Sequence, residues 1–179
     1  MQFRKALNDT ERKADMNHLK PLILGPTSSR ISALVRLMQV ARKRGYRKIA
    51  ALCSRSLERS GIYVSCKAEI GEGLRLPHPT AIVVGEGVVV HPDVTLYQSV
   101  TLGGRVIGDW KEGNYPIIGS GTVLFAGVVV IGKVKIGRNC IVGANSVVLS
   151  DIPNNSVAVG APARVVKSLA PSDSENNND

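Results

Sequence analysis

The sequence predicts a mainly β fold in which short strands wind into a stacked coil, preceded by a short α-helical segment. Three observations point there. Apolar residues recur every six positions, first as Val84, Val90, Leu96 and Leu102, then as Ile118, Leu124, Val130, Ile136, Val142 and Val148. A second apolar register sits four places after many of these, in Val88, Val94, Val100, Val128 and Val134. Glycine repeatedly follows the key residue, as in Ile70-Gly71, Val84-Gly85, Ile118-Gly119 and Ile136-Gly137. A 3.6-residue helix would scatter such positions around its axis, and a long period-two strand would be interrupted by the glycines. Three short strands joined by turns fit, with about eighteen residues per coil and one apolar core shared along the stack. An ordinary all-β domain is the competing architecture, and the unbroken phase from Ile118 argues against it.

Taken in order, residues 1–60 form a basic, largely helical segment. Its first part carries little regular signal, and Pro21 and Gly25-Pro26 read as loop. Thr27, Ser28 or Ser29 is a candidate cap for a helix whose apolar face is Ile31, Leu34, Val35, Met38 and Ala41. Gly45 breaks it, and a second helix uses Ile49, Cys53 and Leu57 before Gly61. Residues 61–156 are the repeat domain. Between Leu102 and Ile118 the beat fails, and residues 104–117 read as a loop leaving the coil wall, a usual place for binding groups. Residues 157–169 form an extended closing arm, and 170–179 a polar tail expected to be disordered.

Charge separates the same two parts. Residues 1–60 hold 14 Lys/Arg against 4 Asp/Glu, whereas 61–179 hold 9 against 10. The overall +9 therefore belongs to the N-terminal segment. Covering one end of the coil with its charges in water is the plain role for that segment. Attraction of an anionic substrate or an acidic surface is another, which makes residues 1–60 a candidate for weak peripheral membrane contact. Nucleic acid is not expected as a partner, because aromatic interleaving and recognition motifs are missing. No run reaches transmembrane length without charge, and Met1 to Lys20 carries no signal-peptide pattern. Cys53, Cys66 and Cys140 show no paired or metal-like spacing, as expected of reduced thiols in a cytoplasmic protein.

Chemistry has few candidates. Of the three histidines, His18 lies in the charged leader and His91 at an outward-facing repeat position. His78, in Leu76-Pro77-His78-Pro79-Thr80, precedes a two-residue slip of phase at Ile82-Val83-Val84, which makes it a candidate for exposure at a cleft. A structural or surface role competes with that reading.

The words Ile70-Gly71-Glu72-Gly73, His78-Pro79-Thr80, Gln98-Ser99-Val100-Thr101-Leu102-Gly103-Gly104, Gly143-Ala144-Asn145-Ser146 and Gly160-Ala161-Pro162-Ala163-Arg164-Val165-Val166 carry a resemblance. The chain resembles the hexapeptide-repeat acyltransferases, and within them the serine O-acetyltransferase branch with its relatives that O-acetylate surface polysaccharides. The resemblance covers residues 61–167. It implies a left-handed parallel β-helix, a homotrimer and acetyl-CoA as co-substrate, while the shortage of ligand histidines leads to no metal being expected. His78 aligns with the family's general base. Gly103, Gly104, Ala126, Gly127 and Ala144 fall where the family holds the pantetheine arm, and Gly160, Ala161, Arg164 and Lys167 where it holds the CoA end. Two departures stand out. Tyr63 occupies the place of an aspartate that orients the family's catalytic histidine, and Tyr115 that of a loop histidine that helps recognise serine. With the short N-terminal part, these departures favour a sugar hydroxyl of a surface polysaccharide as acceptor, at a mouth lined by Tyr63, Tyr97, Trp110, Lys111 and Tyr115. Serine is the alternative acceptor. A non-catalytic β-helix scaffold competes from another class, while a zinc-dependent hexapeptide enzyme would need more ligand histidines than His78 and His91.

Overall fold

The computed structural model describes residues 25–106 and 109–169, apart from the side chains of Trp110 and Glu112. The predicted leader before Gly25 and the tail from Ala170 lie outside the described residues. Two helices come first, α1 (Thr27–Lys43) and α2 (Arg47–Arg59). Short strands follow: β1 (Tyr63–Val64), β2 (Glu69–Ile70), β3 (Val83–Val84), β4 (Val89–Val90), β5 (Thr95–Leu96) and β6 (Thr101–Gly103). A one-turn helix, α3 (Asp109–Glu112), interrupts them. The strands resume as β7 (Ile117–Ile118), β8 (Val123–Leu124), β9 (Val129–Ile131), β10 (Lys135–Ile136), β11 (Ile141–Val142) and β12 (Val147–Val148), then β13 (Ser156–Gly160) and β14 (Ala163–Ser168).

The short strands build the three faces of a prism. Face A stacks β1, β3, β6, β9 and β12, and face B stacks β2, β4, β7 and β10. Face C stacks β5, β8, β11 and β13, with Arg75 bridged in parallel to Thr95 ahead of β5. Pairing is parallel and in register, so each coil lies on the previous one. The sixfold set points inward. Val84, Leu102, Val130 and Val148 line face A, Val90, Ile118 and Ile136 face B, and Leu96, Leu124 and Val142 face C, all buried. Burying such a side chain contributes about 1.5–3 kcal/mol, so the aliphatic stack is the main stabilising term. Coil corners need left-handed backbone, and Ser99, Gly127 and Asn145 supply it at equivalent positions of successive coils, with φ of 59°, 70° and 57°.

The helices close the first coil. Met38 and Leu57 are fully buried and share a core with Ile62, Val64, Ile70 and Leu76. Ile31, Val35, Met38 and Ala41 bury the face the sequence predicts, with Leu34 packed at its edge. Three details differ. The N-cap of α1 is Pro26, whose backbone carbonyl accepts from Arg30 N–H, so none of Thr27, Ser28 or Ser29 caps it. In α2 the buried set is Ala50, Cys53 and Leu57, while Ile49 is exposed, because the helix turns its 50–53–57 stripe inward. The closing arm is a hairpin, β13 pairing antiparallel with β14 across a cis Ala161–Pro162 bond.

Candidate active site

His78 owes its position to a count of residues at one corner. Leu76 is level with Leu96, through the Arg75–Thr95 bridge, and Ile82 with Val100, since Val83 N–H bonds to the Val100 carbonyl. Three residues (97–99) link Leu96 to Val100, but five (77–81) link Leu76 to Ile82. The extra pair has nowhere to go but outward. The ladder closes again immediately, with Ser99 N–H on the Thr80 carbonyl at 2.9 Å and Ala81 N–H on the Gly61 carbonyl at 2.9 Å. The result is a bulge that presents an exposed His78 on a fixed corner.

One coil along, Tyr97 stands beside that imidazole, with ring centroids 6.1 Å apart and tilted by 52°. Phe125, on the next coil, stacks on Tyr97 at 5.0 Å. Beyond it the column ends in Gly143, and the adjacent corner position runs Gln98, Ala126, Ala144. Side chains thus shrink along the corner away from His78. Gln98 is a residue that sequence reasoning missed as a functional candidate. Its Oε1 is buried and has no donor among the described residues. The word it belongs to was legible, but an unpartnered atom has no signature in sequence. Gly127 serves the corner itself, because a Cβ there would lie 2.3 Å from Asn145 Oδ1. Gly160 ends β13, Ala161 opens the exposed turn of the hairpin, and Arg164 and Lys167 are exposed on β14.

The second interruption lies at the corner between faces A and B. The loop from Gly104 is tied by Asp109, which is 4% exposed. Its Oδ2 accepts from Arg105 N–H and from Val106 N–H at 2.8 Å, and its Oδ1 from Asn114 Nδ2 at 3.3 Å. These donors hold the Asp109 carboxyl below the usual carboxylate range. Gly104 makes room for this knot, since a Cβ would lie 2.8 Å from Asp109 Cβ, whereas Gly103 has open space out to 3.9 Å. Tyr115 packs flat on Gly85 and Gly87, where added Cβ atoms would lie 2.9 and 2.4 Å from its ring. Burial and the charges of Glu86 and Asp109 and the ionised Tyr63 push its phenol up, opposed by Lys67. Lys67 pairs with Glu86. Tyr63 points outward on face A, so Tyr63 and Tyr115 gather on that face. Lys111 is exposed on α3. The loop ends at Pro116, one residue earlier than predicted, because Ile117 already pairs with Val89. Among the described residues, no three His, Cys, Asp or Glu side chains are grouped to hold a metal. Cys140 is buried, its thiol pushed up by that burial, as suits a packing residue.

Residues 115–150 match the family model of the bacterial transferase hexapeptide (six repeats). A serine acetyltransferase of Helicobacter pylori is 39% identical over 159 residues, which is 87% of this chain and 90% of that protein. The chain belongs to the serine acetyltransferase family. Solved members share its fold. A soybean serine acetyltransferase complexed with serine superposes with a TM-score of 0.72 at 34% identity, over 82% of this chain and 60% of that one. A serine acetyltransferase in complex with CoA superposes with a TM-score of 0.66 at 31% identity, over 77% of this chain and 56% of the other. The chain spans about 60% of these solved chains and under two fifths of several longer curated relatives. Its prism is the left-handed parallel β-helix of the family. No described helix is long and apolar enough to cross a membrane.

Proposed function

We propose that this chain transfers the acetyl group of acetyl-CoA to the hydroxyl of serine. Serine acetyltransferases among its relatives favour this acceptor over the saccharide expected from sequence. The observation that carries the reading is the two-residue bulge holding His78 exposed beside Tyr97. Neutral imidazole accepts the hydroxyl proton as the serine oxygen attacks the thioester carbon. The tetrahedral intermediate expels the CoA thiolate, which takes the proton back from His78. No acyl-enzyme forms. The pantetheine arm lies along the narrowing corner past Ala126 and Ala144. Arg164 and Lys167 meet phosphate near the hairpin. Trimer assembly, as in the resemblance, is part of this proposal.

A saccharide hydroxyl is the second reading, favoured by one observation. Tyr63 and Tyr115 gather on face A at the two places where the resemblance has a carboxylate and a histidine for serine chemistry. Aromatic rings suit the apolar face of a sugar. The deciding experiment is thiol release from acetyl-CoA with serine, monosaccharides or purified polysaccharides as acceptors. Serine with a kcat/KM at least tenfold above every saccharide upholds the first reading, and the reverse order installs the second.

A further inference from the structure

Residues 25–60 hold nine Lys/Arg and a single acid, Glu58, whose carboxylate accepts from Ser54 Oγ at 3.2 Å. The two helices turn their apolar faces onto each other and onto the first coil, so this charge collects on the outside. It peaks where α1 passes into α2. Every residue from Arg42 to Ile49 is exposed, and five of the eight are cations: Arg42, Lys43, Arg44, Arg47 and Lys48. Along the outer side of α2, Lys48, Arg55 and Arg59 continue them as a ridge, at spacings of seven and four residues.

Charge is half of the observation. Three large apolar side chains stand in water in the same region, Tyr46 at 57%, Ile49 at 44% and Leu52 at 64% exposure. They follow one another at intervals of three. Ile49 and Leu52 lie on α2 between its buried stripe of Ala50, Cys53 and Leu57 and its cationic ridge. The fold makes no use of them, because the helix closes on the coil through the buried stripe alone. Whatever covers this face must offer negative charge and an apolar layer together. A second copy offers the same cations and is repelled. Nucleic acid offers phosphates, but its bases need stacking partners, and Tyr46 is the one aromatic residue in 25–60. An anionic bilayer offers both, with charge at its headgroups and acyl chains just beneath. We infer that the outer face of α2, with the turn before it, is a docking surface for an acidic lipid bilayer. Ile49 and Leu52 enter the acyl boundary, Tyr46 sits at headgroup level, and the arginines and lysines meet lipid phosphates. The inference does not depend on which acceptor the enzyme uses.

The test is flotation of the full chain with vesicles of phosphatidylcholine, alone or with about 30 mol% phosphatidylglycerol. The mixed vesicles bind about tenfold more tightly or better, and the binding weakens as salt is raised. Two variants divide the surface, each checked for folding by circular dichroism and each keeping wild-type thiol release with soluble acceptors. Replacing Lys48, Arg55 and Arg59 together by Gln lowers affinity for the mixed vesicles by about a hundredfold. Ile49→Ser with Leu52→Ser keeps the net charge and still costs about fivefold, which electrostatics alone would not produce. No binding to mixed vesicles, equal binding to both vesicle types, or unchanged binding in the apolar variant would overturn the inference. So would nucleic acid held more tightly than mixed vesicles at the same salt, or a self-association that the apolar variant abolishes. If the double variant does not fold, Leu52→Ser alone carries the apolar half, since that side chain stands mostly in water.

Discussion

Two corners of one prism break the six-residue beat, and they do so at opposite scales. Between faces C and A, two extra residues bulge out and the ladder closes at once on Thr80 and Ala81. Between faces A and B, thirteen residues (103–115) stand where three (85–87) serve the coil before. The small insertion borrows its rigidity from the stack. The large one leaves the stack and carries its own fastening, the Asp109 carboxylate on Arg105, Val106 and Asn114, with Tyr115 pressed on Gly85 and Gly87. The difference teaches a division of labour. In the proposed function, the group that holds a reacting atom in fixed geometry sits on the stiff corner, and the groups assigned to the acceptor sit on the loop, where change disturbs no core.

The sharpest way to break this comparison is to remove the base. His78→Ala is expected to lower kcat by about 10²–10⁴-fold, the usual range for a positioned general base. CoA affinity and melting temperature should hardly move, because the side chain is exposed and supports nothing beneath it. Single-turnover kinetics with isothermal titration of CoA checks both halves, and unchanged turnover would remove His78 from the mechanism. A companion variant deletes His78 and Pro79 together. It leaves three residues at that corner, the number in the next coil. The chain should fold with an equal or higher melting temperature and show no transferase activity. Loss of folding would mean that the bulge is part of the stack's support and not an addition to it.

The next effect is smaller and belongs to the loop. Asp109→Asn weakens the fastening without emptying the site, so the acceptor KM should rise by about tenfold while the KM for acetyl-CoA stays put, the pattern of lost acceptor binding. The pH dependence has a definite sign. The folded carboxyl titrates below its ordinary value, so its contribution to loop order is complete above that ordinary value, near 4. It is lost as pH falls from there through the depressed folded value. The one tryptophan, Trp110, lies in α3 and reports the change by fluorescence. Wild type should show an acid transition that Asp109→Asn lacks. Identical acid titrations in both would show that Asp109 does not fasten the loop.

These two corners also mark how far the sequence could be read. The inward aliphatic stack was legible because burial imposes a period, and Val84 through Val148 keep it. The His78 bulge was legible as a two-residue slip against that period, before any contact was known. The interior of the loop was not, because a carboxylate bonding amides three and four residues away leaves no repeat to detect. The stripe of α2 misled by one residue at Ile49, a short helix offering too few turns to fix its phase. Gln39 was invisible for another reason. A lone amide inside an amphipathic helix reads as part of the wet face, and only the packing of α1 on the first coil buries it.

The smallest expected effect lies where the loop meets the coil. Lys67 pairs with Glu86 beside Tyr115, and the lysine side chain is about half exposed. Such a pair contributes roughly 0–1 kcal/mol, since water and salt screen it. Lys67→Ala should therefore leave the melting temperature almost unchanged, with any shift fading as salt is raised. The Tyr115 phenol should respond more clearly. Lys67 is the group that opposes the upward push of burial, Glu86 and Asp109, so its removal moves the Tyr115 titration further up. Ultraviolet difference titration against Tyr115→Phe isolates that phenol from the other three tyrosines. A titration that stays put or moves down would separate Lys67 from the loop's aromatic site and leave the acceptor-selecting surface to Tyr63 and Tyr115.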